Sequence, residues 1–133
     1  MKEQFVTYEI AKRLKHLGFD DNCFGYFTNN FINELKSSNQ IYNHVFQSCK
    51  NSAFPNIYNH HIASPLWQQA EDWLRKLHNI HIEIYFNHSG CGFILTKTNG
   101  TTIYEITDDR FYEYEKIKEV SVLKAIQIIE NRK

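Results

Sequence analysis

The feature that most constrains the fold is a change of hydrophobic period within residues 64–86, SPLWQQAEDWLRKLHNIHIEIYF. The first half has apolar residues at helical spacing, namely Leu66, Ala70, Trp73, Leu74 and Leu77. The second half alternates polar residues with Ile80, Ile82, Ile84 and Phe86. Ser64 and Pro65 are typical of a helix N-cap and first helical position. The segment predicts a helix followed directly by a half-buried strand, with the two apolar sets packed together.

Two more strands and a helix are predicted after residue 86. The motif NHSGCG turns the chain, GFILTK (92–97) is a second strand, and Asn99-Gly100 is a strong hairpin signal before a third strand, TTIYEIT (101–107). From about Tyr112 to Glu130 the apolar residues again fall near one helical face. Residues 64–131 therefore predict a helix, three antiparallel strands and a helix.

The N-terminal part of the chain is less regular. Thr7 and Gly18 are suited to cap and to end a short helix, and NCFGYF (22–27) predicts a short strand. Residues 28–61 are rich in Asn and Ser, so they predict a long loop or insertion with one short helix near Phe31–Leu35. The fold class expected is α+β: the helix–sheet–helix core, an extra N-terminal helix and a short strand, in a single domain over residues 1–133.

Composition excludes some classes of protein. Fifteen Lys and Arg balance fifteen Asp and Glu, so the chain lacks the basic field typical of proteins that live on nucleic acid or anionic membranes. The three cysteines are odd in number and widely spaced, which favours reduced thiols over a disulfide framework. No apolar run is long enough for a signal peptide or a bilayer span. We expect a soluble protein of the cytoplasm.

Two short motifs raise a metal hypothesis. His78-x-x-His81 and His88-x-x-Cys91 could supply four zinc ligands if a hairpin brought them together. Against this, the pairs are close in sequence, His81 lies within a predicted strand, and three histidines with one cysteine is an uncommon set. Solvated histidines are the alternative, and we expect no metal and no cofactor.

The same turn, HSGCG (88–92), raises a nucleophile hypothesis. Its glycines would allow Cys91 to be exposed beside His88. However, glycine-rich turns between strands need no catalytic explanation, and no helix start follows to lower the pKa of the thiol. No pair of titratable residues has a spacing that demands chemistry, so an enzyme ranks below a binding protein.

The predicted element order also matches that of the double-stranded-RNA-binding domain. That domain places lysines at the start of its last helix to meet phosphates. Lys116 and Lys118 lie in this region, but Glu113, Glu115 and Glu119 surround them. Nucleic-acid binding is therefore the alternative function, disfavoured by charge.

Core burial does not explain the residues that flank the first core helix. Trp67 and Gln68 fall away from the apolar stripe, so Trp67 either covers the edge of the core or contacts a partner. A helix N-terminus favours anionic or amide-bearing ligands. We predict any ligand or partner site here, covered by the 28–61 loop, from the residues His60, His61, Trp67, Gln68 and Gln69.

Three blocks of the chain resemble a known family. FVTYEIAKRLKHLGFDDNCFGYF, SPLWQQAEDWLRKLHNIHIEI and YEYEKIKEVSVLKAIQIIE are similar to the blocks of a small hypothetical-protein family common in Bacteroidetes genomes and their phages and mobile elements. Pro65, Gln68, Gln69 and Trp73 match best, and Ser64 replaces an alanine. The resemblance implies a phage or mobile-element context without a mechanism. We therefore expect a non-catalytic accessory protein that inhibits a host defence system by binding a host protein or sequestering a small nucleotide.

Overall fold

The structure is a computed structural model that describes residues 4–29, 42–54, 61–88, 90–108 and 114–132. The chain forms two compact units, Met1–Trp67 and Gln68–Lys133. The described ranges contain three α-helices and two three-stranded antiparallel sheets, so the α+β prediction is confirmed. The single domain over residues 1–133 stays a prediction. Within the same ranges, no helix combines the length and the apolar character needed to cross a membrane.

The first unit begins with helix α1, Tyr8–His16, as the sequence predicted. The Thr7 hydroxyl accepts a hydrogen bond from the backbone N–H of Ile10 at 3.3 Å, which satisfies one of the orphan donors of the first turn. After the helix, Gly18 has a φ of +98°, a left-handed conformation that glycine adopts without a Cβ penalty. The buried face of α1 consists of Ile10, Ala11 and Leu14.

The sheet of the first unit was not predicted. Strands β1 (Tyr26–Asn29), β2 (Tyr42–Val45) and β3 (Ile62–Ala63) pair antiparallel in the order β2-β1-β3. The predicted strand at 22–27 therefore begins only at Tyr26. The predicted 28–61 loop holds the end of β1, all of β2 and a 3-10 turn, Asn51–Ala53, because backbone pairing between β1 and β2 supplies order that side-chain alternation does not reveal. The short helix predicted near Phe31–Leu35 lies outside the described residues.

Side chains attach the 3-10 turn to the rest of the first unit. The Asn51 amide donates to the carbonyl of Phe19 at 2.8 Å, and its oxygen accepts from the N–H of Ala63 at 2.9 Å. The N–H of Ser52 donates to the Asp20 carboxylate at 2.7 Å, and this bond lowers the pKa of Asp20. The turn is thus joined both to the segment after α1 and to β3.

The predicted cap of the second helix is wrong. Helix α2 is Trp67–His78, so Ser64 and Pro65 lie before its first residue and outside the helix. The N–H of Ser64 donates to the carbonyl of Gly25 at 2.9 Å, and the carbonyl of Pro65 accepts from Val6 at 3.0 Å. Ser64 therefore pairs through its backbone with another segment and does not cap α2.

The C-terminal end of α2 also differs from the prediction. Ala70, Trp73 and Leu74 are buried as predicted, but Leu77 is 66% exposed. Helical geometry places Leu77 between Trp73 and Leu74 around the axis, so its exposure reflects its position in the last turn, beyond the residues that are covered. The helix ends at His78, and the next residue, Asn79, has a left-handed φ of +58°.

The second unit has the predicted helix–three strands–helix order. After α2 come β4 (His81–Asn87), β5 (Gly90–Thr96) and β6 (Thr102–Asp108), paired antiparallel in that order. The Asn99-Gly100 turn is present, with the N–H of Gly100 donating to Lys97 at 2.9 Å. The last helix, α3, is Tyr114–Asn131 and packs on β5 and β4.

The core of this sheet lies on its central strand rather than on β4. Phe93 and Leu95 of β5 are 1% and 0% exposed, whereas Phe86 of β4 is 58% exposed and Ile82 is half-buried. The prediction that the apolar stripe of α2 packs on a fully buried face of β4 is therefore wrong for Ile82 and Phe86. A central strand is covered by neighbours on both sides, while an edge strand is covered on only one.

Candidate functional site

The residues predicted for a binding site occupy the start of α2 and the segment before β3. Trp67 is half-buried, Gln69 is half-buried, and Gln68 is exposed. The Gln68 amide donates to the Asp72 carboxylate at 3.1 Å, and Arg75 contacts the same oxygen at 3.0 Å. Gln68 thus already has a partner on its own helix. His60 lies outside the described residues.

His61 belongs to a group of aromatic rings in the first unit. Its ring stacks on Tyr26 with centroids 5.3 Å apart, and Phe54 meets both rings edge-on at 5.2 and 5.3 Å. The Lys15 ammonium donates to the backbone carbonyl of His61 at 3.0 Å, and burial lowers the pKa of this lysine. Planar rings beside an ammonium are groups suited to a planar, anionic molecule.

A second histidine, His44, lies inside a cage of phenyl rings that sequence reasoning missed. Its ring is 4.6 Å from the rings of Phe5 and Phe27 and 4.7 Å from that of Phe46. Its Nε2 is 2.7 Å from the hydroxyl of Ser64. This is the reach of a nucleophile and its base, but Ser64 is 0% exposed. The pair therefore serves the structure, by satisfying a buried hydroxyl.

Two large aromatic side chains of the first unit are exposed. Phe24 is 65% exposed and Phe46 is 55% exposed. Phe24 and Phe46 belong to the two facing segments of an irregular stretch. The bridge Cys23↔Cys49 bounds this stretch at one end, and the pair Tyr26↔Val45 bounds it at the other. One side of this stretch has one residue more than the other, as in a β-bulge. Sequence reasoning placed Phe24 inside a strand, and only the pairing shows that it faces outward.

The structure keeps the candidate zinc ligands apart. His81 is the first residue of the seven-residue strand β4 and His88 follows its last residue, so the two are roughly 20 Å apart at about 3.3 Å per residue. Cys91 pairs with Phe86 and is 0% exposed. Among the described residues, no three His, Cys, Asp or Glu side chains are grouped to hold a metal.

We predict that the protein purified without added zinc contains no stoichiometric zinc. The reason is the separation of His81 from His88, which prevents the two motifs from sharing one tetrahedral ion. Elemental analysis and the melting temperature with and without a chelator measure this. One zinc per chain, lost on His88→Ala, would contradict the geometry.

The nucleophile hypothesis for Cys91 meets a similar obstacle. The thiol is buried on the sheet face that carries Phe93 and Leu95, and burial raises its pKa. His88 is exposed beyond the end of β4. The two residues therefore do not form an exposed pair of nucleophile and base.

The two lysines of the RNA-binding hypothesis, Lys116 and Lys118, lie near the start of α3. Lys116 is exposed, and the Lys118 ammonium lies 4.7 Å from the centroid of the Tyr114 ring. Burial raises the pKa of Glu71, and the positive charge of Lys118 lowers it in part. Lys118 is thus engaged within the unit, and Lys116 is the more accessible of the two.

No family model matches the chain, and neither a curated protein sequence nor a solved structure does. The resemblance of its three blocks to the Bacteroidetes and phage family stays a prediction.

Proposed function

We propose that the protein is a non-catalytic binding protein that docks on a host protein through Phe24 and Phe46. The observation that carries the proposal is the exposure of both phenyl side chains at one bulge in the first unit. Large aromatic side chains dominate the binding energy of many interfaces when they enter a pocket of the partner. A bulge is also a common means of redirecting side chains at a functional edge.

The surroundings of Phe46 support this role. Its ring packs at 5.7 Å from that of Phe5, which is 5% exposed, and at 4.7 Å from that of His44. One side of Phe46 is therefore anchored on the core while the other faces solvent. An anchored ring loses little conformational freedom on binding, so more of its burial energy contributes to affinity.

The context of the proposal comes from the family resemblance. We propose that the protein acts in the cytoplasm of a cell that carries the phage or mobile element, and that its target belongs to a host defence system. Sequestration of a small nucleotide is a variant of the same proposal, supported by the Tyr26–Phe54–His61 rings and the Lys15 ammonium.

Capture from host lysate on immobilised full-length protein tests the proposal. We expect Phe24→Ala combined with Phe46→Ala to abolish capture of the partner, because loss of one aromatic anchor costs about 2 kcal/mol, roughly thirtyfold in affinity. Leu77→Ala with Phe86→Ala is the matched control, since it also removes two exposed apolar side chains. Unchanged capture by the Phe24 and Phe46 variant, with an unchanged melting temperature, would refute the proposal.

Trp67→Ala with Gln68→Ala tests the predicted site at the start of α2. If this variant loses capture of the partner and the Phe24 and Phe46 variant does not, the binding site lies at the start of α2. Mass spectrometry of small molecules released from the purified protein tests the nucleotide variant, with Tyr26→Ala as its comparison. A released nucleotide that is absent from the Tyr26→Ala protein would support sequestration.

The second candidate function is binding of double-stranded RNA. It is favoured by the helix–three strands–helix order of the second unit and by the exposed Lys116, and opposed by the neutral net charge. A mobility shift with duplex RNA that weakens with salt and with Lys116→Glu would support it. Absence of a shift at low salt would exclude it.

A further inference from the structure

The first unit holds two cysteines directly opposite each other on paired backbone. The N–H of Cys23 donates to the carbonyl of Cys49 at 2.7 Å, and the N–H of Cys49 donates back at 3.0 Å. Residues that exchange both hydrogen bonds in an antiparallel pair have Cα atoms about 5.5 Å apart and side chains on the same face. Disulfides most often span about 5.5–6 Å between Cα atoms. The Cα spacing expected of this pair therefore suits a disulfide, and closing the bond requires the two Cβ atoms, about 4.5–5.5 Å apart in such pairs, to approach to about 3.5–4.5 Å.

The two thiols differ in accessibility. Cys23 is 1% exposed, and Cys49 is half-buried. The thiol of Cys49 donates to the carbonyl of Gly25 at 3.1 Å, and that of Cys23 donates to the backbone carbonyl of Asp21 at 3.4 Å. Burial raises the pKa of Cys23 to about 12 and that of Cys49 to about 11, so both are protonated thiols at neutral pH. Cys49 is therefore the more accessible of the two thiols to an oxidant.

We propose that Cys23 and Cys49 form an intramolecular disulfide when the protein meets a hydroperoxide, and that Cys91 keeps its thiol. Hydrogen peroxide first transfers an oxygen atom to the Cys49 sulfur, giving a sulfenic acid and one water. The Cys23 sulfur then attacks the Cys49 sulfur, the S–S bond forms, and hydroxide leaves and takes up the thiol proton as a second water. The two thiols lose two electrons, which reduce the peroxide.

Consequences for the first unit follow from the position of the bond. It would link the two sides of the bulge that carries Phe24 and Phe46, and it would close the chain over residues 23–49. A cross-link that closes a loop removes conformational freedom from the unfolded chain. Cytosolic disulfides of this kind are typically transient and redox-sensing.

Peptide mapping of the full-length protein tests the proposal. The protein is treated with hydrogen peroxide, unfolded, alkylated with N-ethylmaleimide and digested with trypsin. Cys23, Cys49 and Cys91 fall in three different tryptic peptides, residues 16–36, 37–50 and 77–97. We expect a cross-linked 16–36/37–50 pair that a reductant releases, one alkylated thiol per oxidised chain, and a melting temperature raised by about 5–15 °C over the reduced protein.

Two serine variants provide the comparison. Cys91→Ser should form the same cross-link, and Cys49→Ser should form none. The mapping of the wild-type protein decides the matter even if a variant does not fold. Three alkylated thiols after oxidation, disulfide-linked dimers, or sulfinic acid at Cys49 without the cross-link would overturn the proposal.

Discussion

Replacing Trp73 by alanine should reduce the free energy of unfolding by about 3–5 kcal/mol, the range found for large aromatic residues removed from a core. Trp73 is 5% exposed, and its ring lies 4.7 Å from that of His78 on the same helix. The variant would lose the burial of the indole and leave a cavity that its neighbours fill only in part. Urea denaturation followed by circular dichroism measures the change.

Leu77→Ala is the matched control, because Leu77 lies one turn further along α2 and is 66% exposed. Its cost should stay within about 0.5 kcal/mol, as expected of a surface substitution. A cost below about 1 kcal/mol for Trp73→Ala would show that the indole is not part of the core. Trp73 would then become a candidate contact for a partner.

The second large effect is expected at Gly92, in the middle of β5. A Cβ atom there would overlap the backbone carbonyl oxygen of Ile106 and would lie 2.7 Å from the hydroxyl of Tyr85. The Tyr85 ring crosses the sheet at this glycine, and its hydroxyl bonds to Thr107 and to the carbonyl of Ile106. We expect Gly92→Ala to destabilise the protein by about 2–3 kcal/mol, because a backbone strand has to move.

Replacing Tyr85 distinguishes the effect of its ring from that of the Ile106 carbonyl. Tyr85→Ala removes the ring but leaves the Ile106 carbonyl in place. We therefore expect the cost of Gly92→Ala to persist in the Tyr85→Ala background, with a coupling energy below about 1 kcal/mol in a double-mutant cycle. If the cost disappears in that background, the ring and not the carbonyl requires the glycine. If Gly92→Ala alone costs under about 0.5 kcal/mol, the Ile106 carbonyl does not approach Gly92 closely enough to exclude a side chain.

Much of the second unit was predictable because its order comes from short-range interactions. Residues 80–86 alternate in polarity, and Asn99-Gly100 specifies a tight turn, so consecutive strands pair with their neighbours in sequence. The capping of α1 by Thr7 is equally local. These signals involve residues only a few positions apart, and each can be recognised without knowing the rest of the fold.

The failures have a common cause in pairing between distant parts of the chain. Strand β2 lies beside β1 although its four residues, YNHV, carry no clear alternation. Ser64 was expected to cap a helix and instead pairs with Gly25 and His44. Phe86 was expected inside and is exposed, because β4 turned out to be an edge strand.

The candidate binding sites also divide into residues that a local pattern indicates and residues whose exposure depends on strand pairing. The sequence indicated the residues at the start of α2 from their position on a helix, but no local pattern distinguishes Phe24 from the other phenylalanines. Its exposure depends on the bulge, and the bulge depends on the register between β1 and β2.

The element order of the second unit, the ends of α1 and the hairpin at Asn99-Gly100 follow from local sequence signals, because periodicity and turn chemistry act over a few residues. Long-range packing sets which apolar residues are covered, which histidine lies among the phenyl rings, and the pairing of Cys23 with Cys49. Those outcomes depend on strand order and register, which are set by the packing of segments far apart in the chain. A local pattern limits what each segment can form, whereas its neighbours in space decide which of its side chains remain exposed.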